Sequence, residues 1–130
     1  MSTAENLPEG IHTLLDYHVV KIENLHEDSA WTLATILASM EANKIECTFK
    51  HVEVFEEGND PDSPQGFTVI CKTDKGHASA YYYTSIQFLA VDLFGEPSKT
   101  FPASTDVHRA VMDHFCCKFL GRITHRAVLR

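Results

Sequence analysis

The chain has 130 residues, of which 44% are hydrophobic and 22% are charged, and its formal net charge is -7. This length and composition fit one folded domain with its own core, and they exclude a long disordered segment or a disulfide-dependent miniprotein. The charge is uneven, because residues 1–65 contain 13 acidic and three basic residues, whereas residues 66–130 contain five acidic and eight basic residues.

Membrane insertion and export are not indicated by the sequence. No apolar run approaches the roughly 20 residues that a membrane-spanning helix needs. The first ten residues, MSTAENLPEG, lack the basic and apolar segments of a secretory signal, so we expect a cytoplasmic protein with a flexible tail at residues 1–7. Of the four cysteines, Cys116 and Cys117 are adjacent, and no Cys-x-x-Cys pair is present. We therefore expect four reduced thiols.

The first third of the chain contains one ambiguous segment and one clear helix. Between Pro8 and Leu25 the apolar residues fit both helical and strand patterns, and we favour a short helix at 8–16 followed by a strand at 17–23. Residues 28–43 predict a helix, because Asp28 or Ser29 can cap it and apolar residues recur at helical spacing. The apolar residues are Leu33, Ile36, Leu37 and Met40.

The middle of the chain predicts β-structure. Residues 46–57 alternate without a cleanly apolar face, which is typical of an edge strand or a bulged strand. Residues 58–66 are rich in Gly, Asn, Asp and Pro and predict a loop. The strands 67–73 and 77–83, joined by the turn 74–76, predict a hairpin around which we expect the sheet to form.

The last third predicts two more helices. Ser85 can cap a helix at 85–94 that Gly95 and Pro97 would end. Residues 98–104 would form a connector, and a last helix would run from Ser104 or Thr105 to Gly121, with a strand or tail at 122–130. The expected fold is a single α+β domain over residues 1–130. It would have an antiparallel sheet of three to five strands with about three helices packed on it.

No known catalytic or cofactor motif is present, so we expect no cofactor and favour a protein that is not an enzyme. His114 and Cys117 are three residues apart on the expected last helix and are weak candidates for metal ligands. A site would need further ligands, for which His18, His51 and His77 are distant candidates. Paired acids such as Glu56 and Glu57 are read as solvated loop residues rather than as catalytic acids.

Lys118, Arg122, Arg126 and Arg130 are spaced by four residues at the C-terminal end. They would form a basic stripe only if the last helix continued through Gly121. Because the whole chain is acidic, direct contact with nucleic acid is not expected.

Two features indicate contact with a protein partner. Tyr81 and Tyr83 alternate with Tyr82 on a strand and therefore share one of its faces, and tyrosine is favoured at interfaces. The acidic first half of the chain would attract a basic surface. The predicted partner-binding residues are Glu53, Glu56, Glu57, Asp60, Asp62, Tyr81 and Tyr83.

The favoured function is therefore a small, acidic, non-enzymatic binding protein that acts by protein–protein contact. An inhibitor or accessory factor of nucleic-acid-handling machinery fits, and a phage-type anti-defence protein is one such case. One alternative is a metal-binding domain or hydrolase-like enzyme that uses His114 and Cys117 with distant histidines. Another is a homo-oligomeric structural module, such as a homodimer, that uses the tyrosine strand as its interface.

Overall fold

A computed structural model describes residues 9–19, 22–56 and 65–128 of the chain. Within these ranges the chain forms six strands and two helices, and every strand pairing is antiparallel. In chain order they are β1 (Glu9–Val19), α1 (Leu25–Ala42), β2 (Phe49–Phe55), β3 (Gly66–Lys72), β4 (His77–Tyr83), β5 (Phe88–Gly95), α2 (Pro97–His114) and β6 (Cys117–Val128).

The six strands form one sheet in the order β2-β3-β4-β5-β1-β6. The first strand of the chain therefore lies between β5 and β6, while β2 and β6 are the two edges. Strands β2 to β5 are consecutive in the chain and adjacent in the sheet, so they form a meander. The β1–β6 pairing shifts register between Asp16 and Tyr17.

Both helices pack on the same face of this sheet. Helix α1 contacts β2 and β3, helix α2 contacts β1, β5 and β6, and the two helices contact each other. The strand residues facing them are fully buried and form one core with Ile36, Met40, Val107 and Val111. The core residues contributed by the strands include Leu15, Tyr17, Val19, Phe67, Val69, Cys71, Ala78, Ala80, Tyr82, Leu89, Val91 and Leu93.

Three predictions from the sequence are confirmed. The hairpin has the expected strands, with Val69 opposite Ala80 in its register. Strand β2 is an edge strand. Helix α1 is present, although it begins at Leu25, because the side chain of Asn24 caps it by accepting a hydrogen bond from the N–H of Glu27. The α+β class is confirmed, with six strands and two helices in place of the expected three to five strands and three helices.

The helix expected at 8–16 is wrong within the described residues, because residues 9–19 form a single strand. The alternation of buried and half-buried residues continues from Ile11 to Val19 without interruption. Pairing with strands on both sides stabilises this extended conformation. A helical reading of Ile11, Leu14 and Leu15 would have left Thr13 and Tyr17 unexplained, and both are fully buried in the sheet.

The two helices expected in the last third are also wrong in their positions. Residues 88–95 form β5, which follows a turn at 84–87 where Gln87 adopts a φ of 51°. Helix α2 begins at Pro97, because proline suits the first turn of a helix, and it ends at His114 instead of Gly121. The expected basic stripe is therefore not helical at Lys118, Arg122 and Arg126, which lie on the strand β6 (Cys117–Val128), and Arg130 lies outside the described residues.

The expected tail at 1–7 and most of the expected loop at 58–66 lie outside the described residues. All four cysteines are unpaired, as predicted. Neither α1 nor α2, the helices of the described ranges, is long and apolar enough to span a membrane.

Because the core lies on one side of the sheet, truncating two neighbouring residues of β1 should lower the free energy of unfolding by different amounts. Leu15 is fully buried between the sheet and the helices, whereas Leu14 points to the opposite face and is half-buried. Because a buried leucine leaves a cavity when truncated, we expect Leu15→Ala to lower the free energy of unfolding by about 2–5 kcal/mol. Leu14→Ala is the control and should lower the free energy of unfolding by a clearly smaller amount. Chemical denaturation of both variants would check this, and equal costs would contradict the one-sided core.

Candidate functional site

The sheet has a second face that no helix covers within the described residues, and we call it the open face. Cross-strand partners share a face, so the registers define its members. At one end, a row of partners runs from Phe55 through Gly66, Tyr83 and Phe88 to His18 and Lys118. At the other end, a row runs from Phe49 through Lys72, His77 and Phe94 to His12 and His125.

An aromatic patch, which we define as Phe55, Tyr81, Tyr83 and Phe88, occupies the first end of the open face. Phe55, Tyr81 and Tyr83 are 40%, 38% and 38% exposed, although their rings are large and apolar. They come from β2 and β4, and the small residue Gly66 lies between Phe55 and Tyr83 in the register. Exposed aromatic rings grouped on a flat surface are typical of interaction sites.

Acidic residues border this patch. Glu53 pairs with Thr68, which pairs with Tyr81, so Glu53 and Tyr81 lie on the open face in one row. Glu56 follows β2 directly, and its Oε1 lies 2.6 Å from Nε2 of His26 at the start of α1. Of the predicted partner-binding residues, the structure thus brings Glu53, Tyr81 and Tyr83 together on one face, whereas Glu56 contacts α1 on the helix-covered side of the sheet. Glu57, Asp60 and Asp62 lie outside the described residues.

The start of α1 extends the negative surface near Glu56. Glu27 is exposed in the first helical turn, and Asp28 beside it is half-buried. Burial raises the pKa of the Asp28 carboxyl, while His114 and the backbone N–H at the helix start act in the opposite direction. Both carboxylates lie at the positive N-terminal end of the helix dipole, where negative charge stabilises the helix. They therefore have a structural role besides their contribution to the surface charge.

His114 and Cys117, the weak metal candidates, are placed in different surroundings. The imidazole of His114 stacks on Trp31 with ring centroids 3.7 Å apart, and its Nε2 lies 3.9 Å from Oδ1 of Asp28. The thiol of Cys117 donates to the carbonyl oxygen of Val111 at 3.9 Å. Burial and the neighbouring Cys116 raise the pKa of the Cys117 thiol, which keeps it protonated and weakly nucleophilic.

A different group of metal-ligating side chains lies at the second end of the open face. We call His12, His77 and Asp92 the His–Asp cluster; their ligand atoms all lie within 4.8 Å of one another. Nε2 of His12 contacts Oδ1 of Asp92, and Nε2 of His77 lies 3.3 Å from Oδ2 of the same carboxylate. Three adjacent strands, β4, β5 and β1, position these side chains.

The electrostatics of the cluster follow from the shared carboxylate. The hydrogen bond to Asp92 raises the pKa of His77, against the smaller opposing effect of burial. Burial acts to raise the pKa of the Asp92 carboxyl, but the hydrogen bond from His77 and the charges of His12 and His77 outweigh it. The pKa of Asp92 is therefore held below its usual range. The shared carboxylate therefore favours the charged imidazolium–carboxylate pair over the neutral one.

The sequence reasoning named His77 only as a distant candidate and did not single out His12 or Asp92. Both missed residues belong to segments that were expected to be helical. In a strand, the alternation His12, Leu14, Asp16, His18 would have marked a polar face, and this is the signal that was available. Comparison with protein-family models and with curated proteins finds no match for this chain.

The shared carboxylate predicts how His77 titrates. In Asp92→Asn the amide cannot stabilise the imidazolium as the carboxylate does, so the pKa of His77 should fall back toward its ordinary value of 6.5. NMR titration of the ring protons in buffer with a chelator would measure this. Glu53→Gln, a neutralised acid elsewhere on the open face, is the control and should leave His77 unchanged.

The contact between His77 and Asp92 should also make the free energy of unfolding depend on pH. The raised pKa of His77 contributes stability that is complete below about pH 6.5 and is lost as pH rises through its folded pKa. The lowered pKa of Asp92 contributes stability above about pH 3.8 that is lost as pH falls. The difference in unfolding free energy between wild type and Asp92→Asn should therefore be largest near pH 5. A difference that does not vary with pH would contradict this account.

Proposed function

We propose that the chain is a non-enzymatic binding protein that contacts a protein partner through the aromatic patch and the acids beside it. The observation that supports this proposal is the grouping of Phe55, Tyr81 and Tyr83, exposed on one uncovered face, with Glu53 in the neighbouring row. Packing of the helices buries the central residues of the opposite face, so core packing does not account for aromatic rings on this one.

The charge argues for a partner with a basic surface. Residues 1–65 carry a net charge of about -10 by direct count, and Glu53 lies on the open face beside the patch. Complementary charge speeds and orients association and disfavours acidic partners. A protein groove that normally holds nucleic acid is a basic surface of this kind, so an inhibitor or accessory factor of nucleic-acid-handling machinery remains our favoured class.

The tyrosines would supply most of the binding energy. Tyrosine buries a large area with few rotatable bonds, so it loses little entropy on binding, and hot-spot residues cluster near the centre of an interface. Tyr81 and Tyr83 project from a strand that is paired on both sides, which fixes their backbone before binding. The acidic residues at the border would act mainly on the association rate.

Alanine variants of the tyrosines test the patch. We expect Tyr81→Ala/Tyr83→Ala to weaken binding to the partner at least tenfold, because truncating an interface hot spot costs about 2 kcal/mol or more. Phe101→Ala is the matched control, since Phe101 is 42% exposed on α2, away from the open face. The partner is isolated on immobilised wild-type protein, and its affinity for each variant is then measured by calorimetry.

Equal losses in the tyrosine variant and in Phe101→Ala would contradict the patch as the binding surface. The charge component is tested separately with Glu53→Lys, against Glu41→Lys, an exposed acid at the end of α1, as control. We expect the first variant to slow association and to reduce its dependence on salt. Binding that is unchanged by this charge reversal would show that the acidic border has no role.

A second candidate is a homodimer, favoured by the charges at opposite edges of the open face. Glu53 lies on β2 at one edge, and Lys118 lies on β6 at the other edge, in the same row as Phe55. A twofold axis parallel to the strands, between two stacked open faces, would place β2 of one copy over β6 of the other. Glu53 of one copy would then lie near Lys118 of its partner.

Sedimentation of the purified protein over the micromolar range tests the homodimer. A dimer of this kind should dissociate in Tyr81→Ala/Tyr83→Ala and in Lys118→Glu, and should partly re-form in the Lys118→Glu/Glu53→Lys pair. Lys99→Glu, on α2, is the control for charge. A wild-type protein that is monomeric throughout this range would exclude the homodimer and leave the basic partner as the occupant.

A further inference from the structure

We propose that the His–Asp cluster of His12, His77 and Asp92 binds one divalent transition-metal ion of the zinc class. The cluster lies at the opposite end of the open face from the aromatic patch, so this inference does not rest on the proposed protein contact. It also differs from the His114–Cys117 pair, whose residues contact other groups.

The donor set suits this class of metal. Two imidazole nitrogens and one carboxylate form a common ligand set for Zn²⁺ and for related first-row ions, whereas Mg²⁺ and Ca²⁺ prefer oxygen ligands. Both Nε2 atoms face the two oxygens of one carboxylate. Zinc bonds of about 2.0–2.2 Å require these donor atoms to lie roughly 3–3.5 Å apart. The cluster, with all ligand atoms within 4.8 Å of one another, meets this requirement with small rotations of the side chains.

The rings are held in place before any ion arrives. Phe94 lies between His77 and His12 in the register of β4, β5 and β1. Its ring stacks on His77 with centroids 5.8 Å apart and meets the edge of His12 at 5.7 Å. A paired sheet fixes the three backbones, so binding an ion would order few additional torsions.

An ion can reach the cluster and would retain an exchangeable position. The side chains of His12, His77 and Asp92 are 33%, 43% and 24% exposed, so the donors lie at the surface of a half-buried site. Three protein ligands leave at least one coordination position of a tetrahedral ion open. His125 on β6 is the cross-strand partner of His12 and lies on the same face of the sheet. It is therefore the neighbouring residue that could supply a fourth ligand. Otherwise a water molecule or an anion would complete the coordination.

Calorimetric titration with ZnCl₂ tests the proposal on the full chain. We expect saturable binding of one ion per chain, and a loss of affinity of at least tenfold in each of His12→Ala, His77→Ala and Asp92→Ala. His18→Ala is the matched control, because His18 lies on the same strand and the same face as His12 but outside the cluster. It should bind as the wild type does.

Cobalt(II) provides a test that needs no variant. Because Co²⁺ takes the zinc position and is paramagnetic, it should shift or broaden the NMR signals of His12 and His77 before those of His114. Its visible spectrum should lack the strong charge-transfer absorption that a thiolate ligand produces. This readout remains valid if one of the alanine variants fails to fold, which thermal unfolding in the presence of a chelator would reveal.

Three outcomes would overturn the proposal. One is the absence of saturable zinc binding up to about 1 mM, the weak limit of specific affinity. Another is binding that survives in folded His12→Ala and His77→Ala but is lost in His114→Ala or Cys117→Ala, which would locate the ion at that pair. The third is a cobalt spectrum with thiolate absorption. None of these outcomes bears on partner binding by the aromatic patch, so the two proposals can fail separately.

Discussion

One-sided burial is the constraint on which the rest of this structure depends. Both helices lie on one face of a six-stranded sheet, and every central strand places alternate residues in the core. Strand β5 shows this most simply, because Leu89, Val91 and Leu93 are buried while Ala90 and Asp92 between them are not. The register that buries one face therefore determines the chemistry of the other, since a shift by one residue would exchange the two sets.

Local sequence patterns were sufficient to predict an element that is stabilised by residues close to it in the chain. The hairpin of β3 and β4 was predicted from two β-rich runs and a turn containing Gly76, and helix α1 from its spacing and polar start. The segment 88–95 was not predicted as a strand, because Leu89 and Leu93 satisfy helical spacing as well as alternation. What makes it a strand is pairing with β1, 70 or more residues earlier in the chain, and no local pattern contains that information. Pro97 was read as the end of a helix but occupies the first turn of one.

The same difference between local and long-range information explains what could be predicted of the site. Tyr81 and Tyr83 share a face because they are two residues apart on one strand. Glu53 joins them through the antiparallel pairings of β2 with β3 and of β3 with β4, of which the sequence indicated only the second. The His–Asp cluster has no local signature. His12 and Asp92 are 80 residues apart, and their contact requires the first strand of the chain to insert between β5 and β6. Only the complete strand order brings them together.

The open face places two proposed sites on one rigid sheet, at opposite ends of the same strands. Tyr83 and His77 both belong to β4, so the distance between the sites is set by the length of one strand and not by a hinge. A partner that covered only the aromatic patch would leave the metal position exchangeable. A partner, or a second copy, that covered the whole face would bury the open coordination position and exclude water from the ion. Metal affinity and partner affinity would then depend on each other by linkage, to the same extent in both directions. The extent of the contact, more than its location, therefore decides whether the ion is a structural part of the interface or an independent ligand of the sheet.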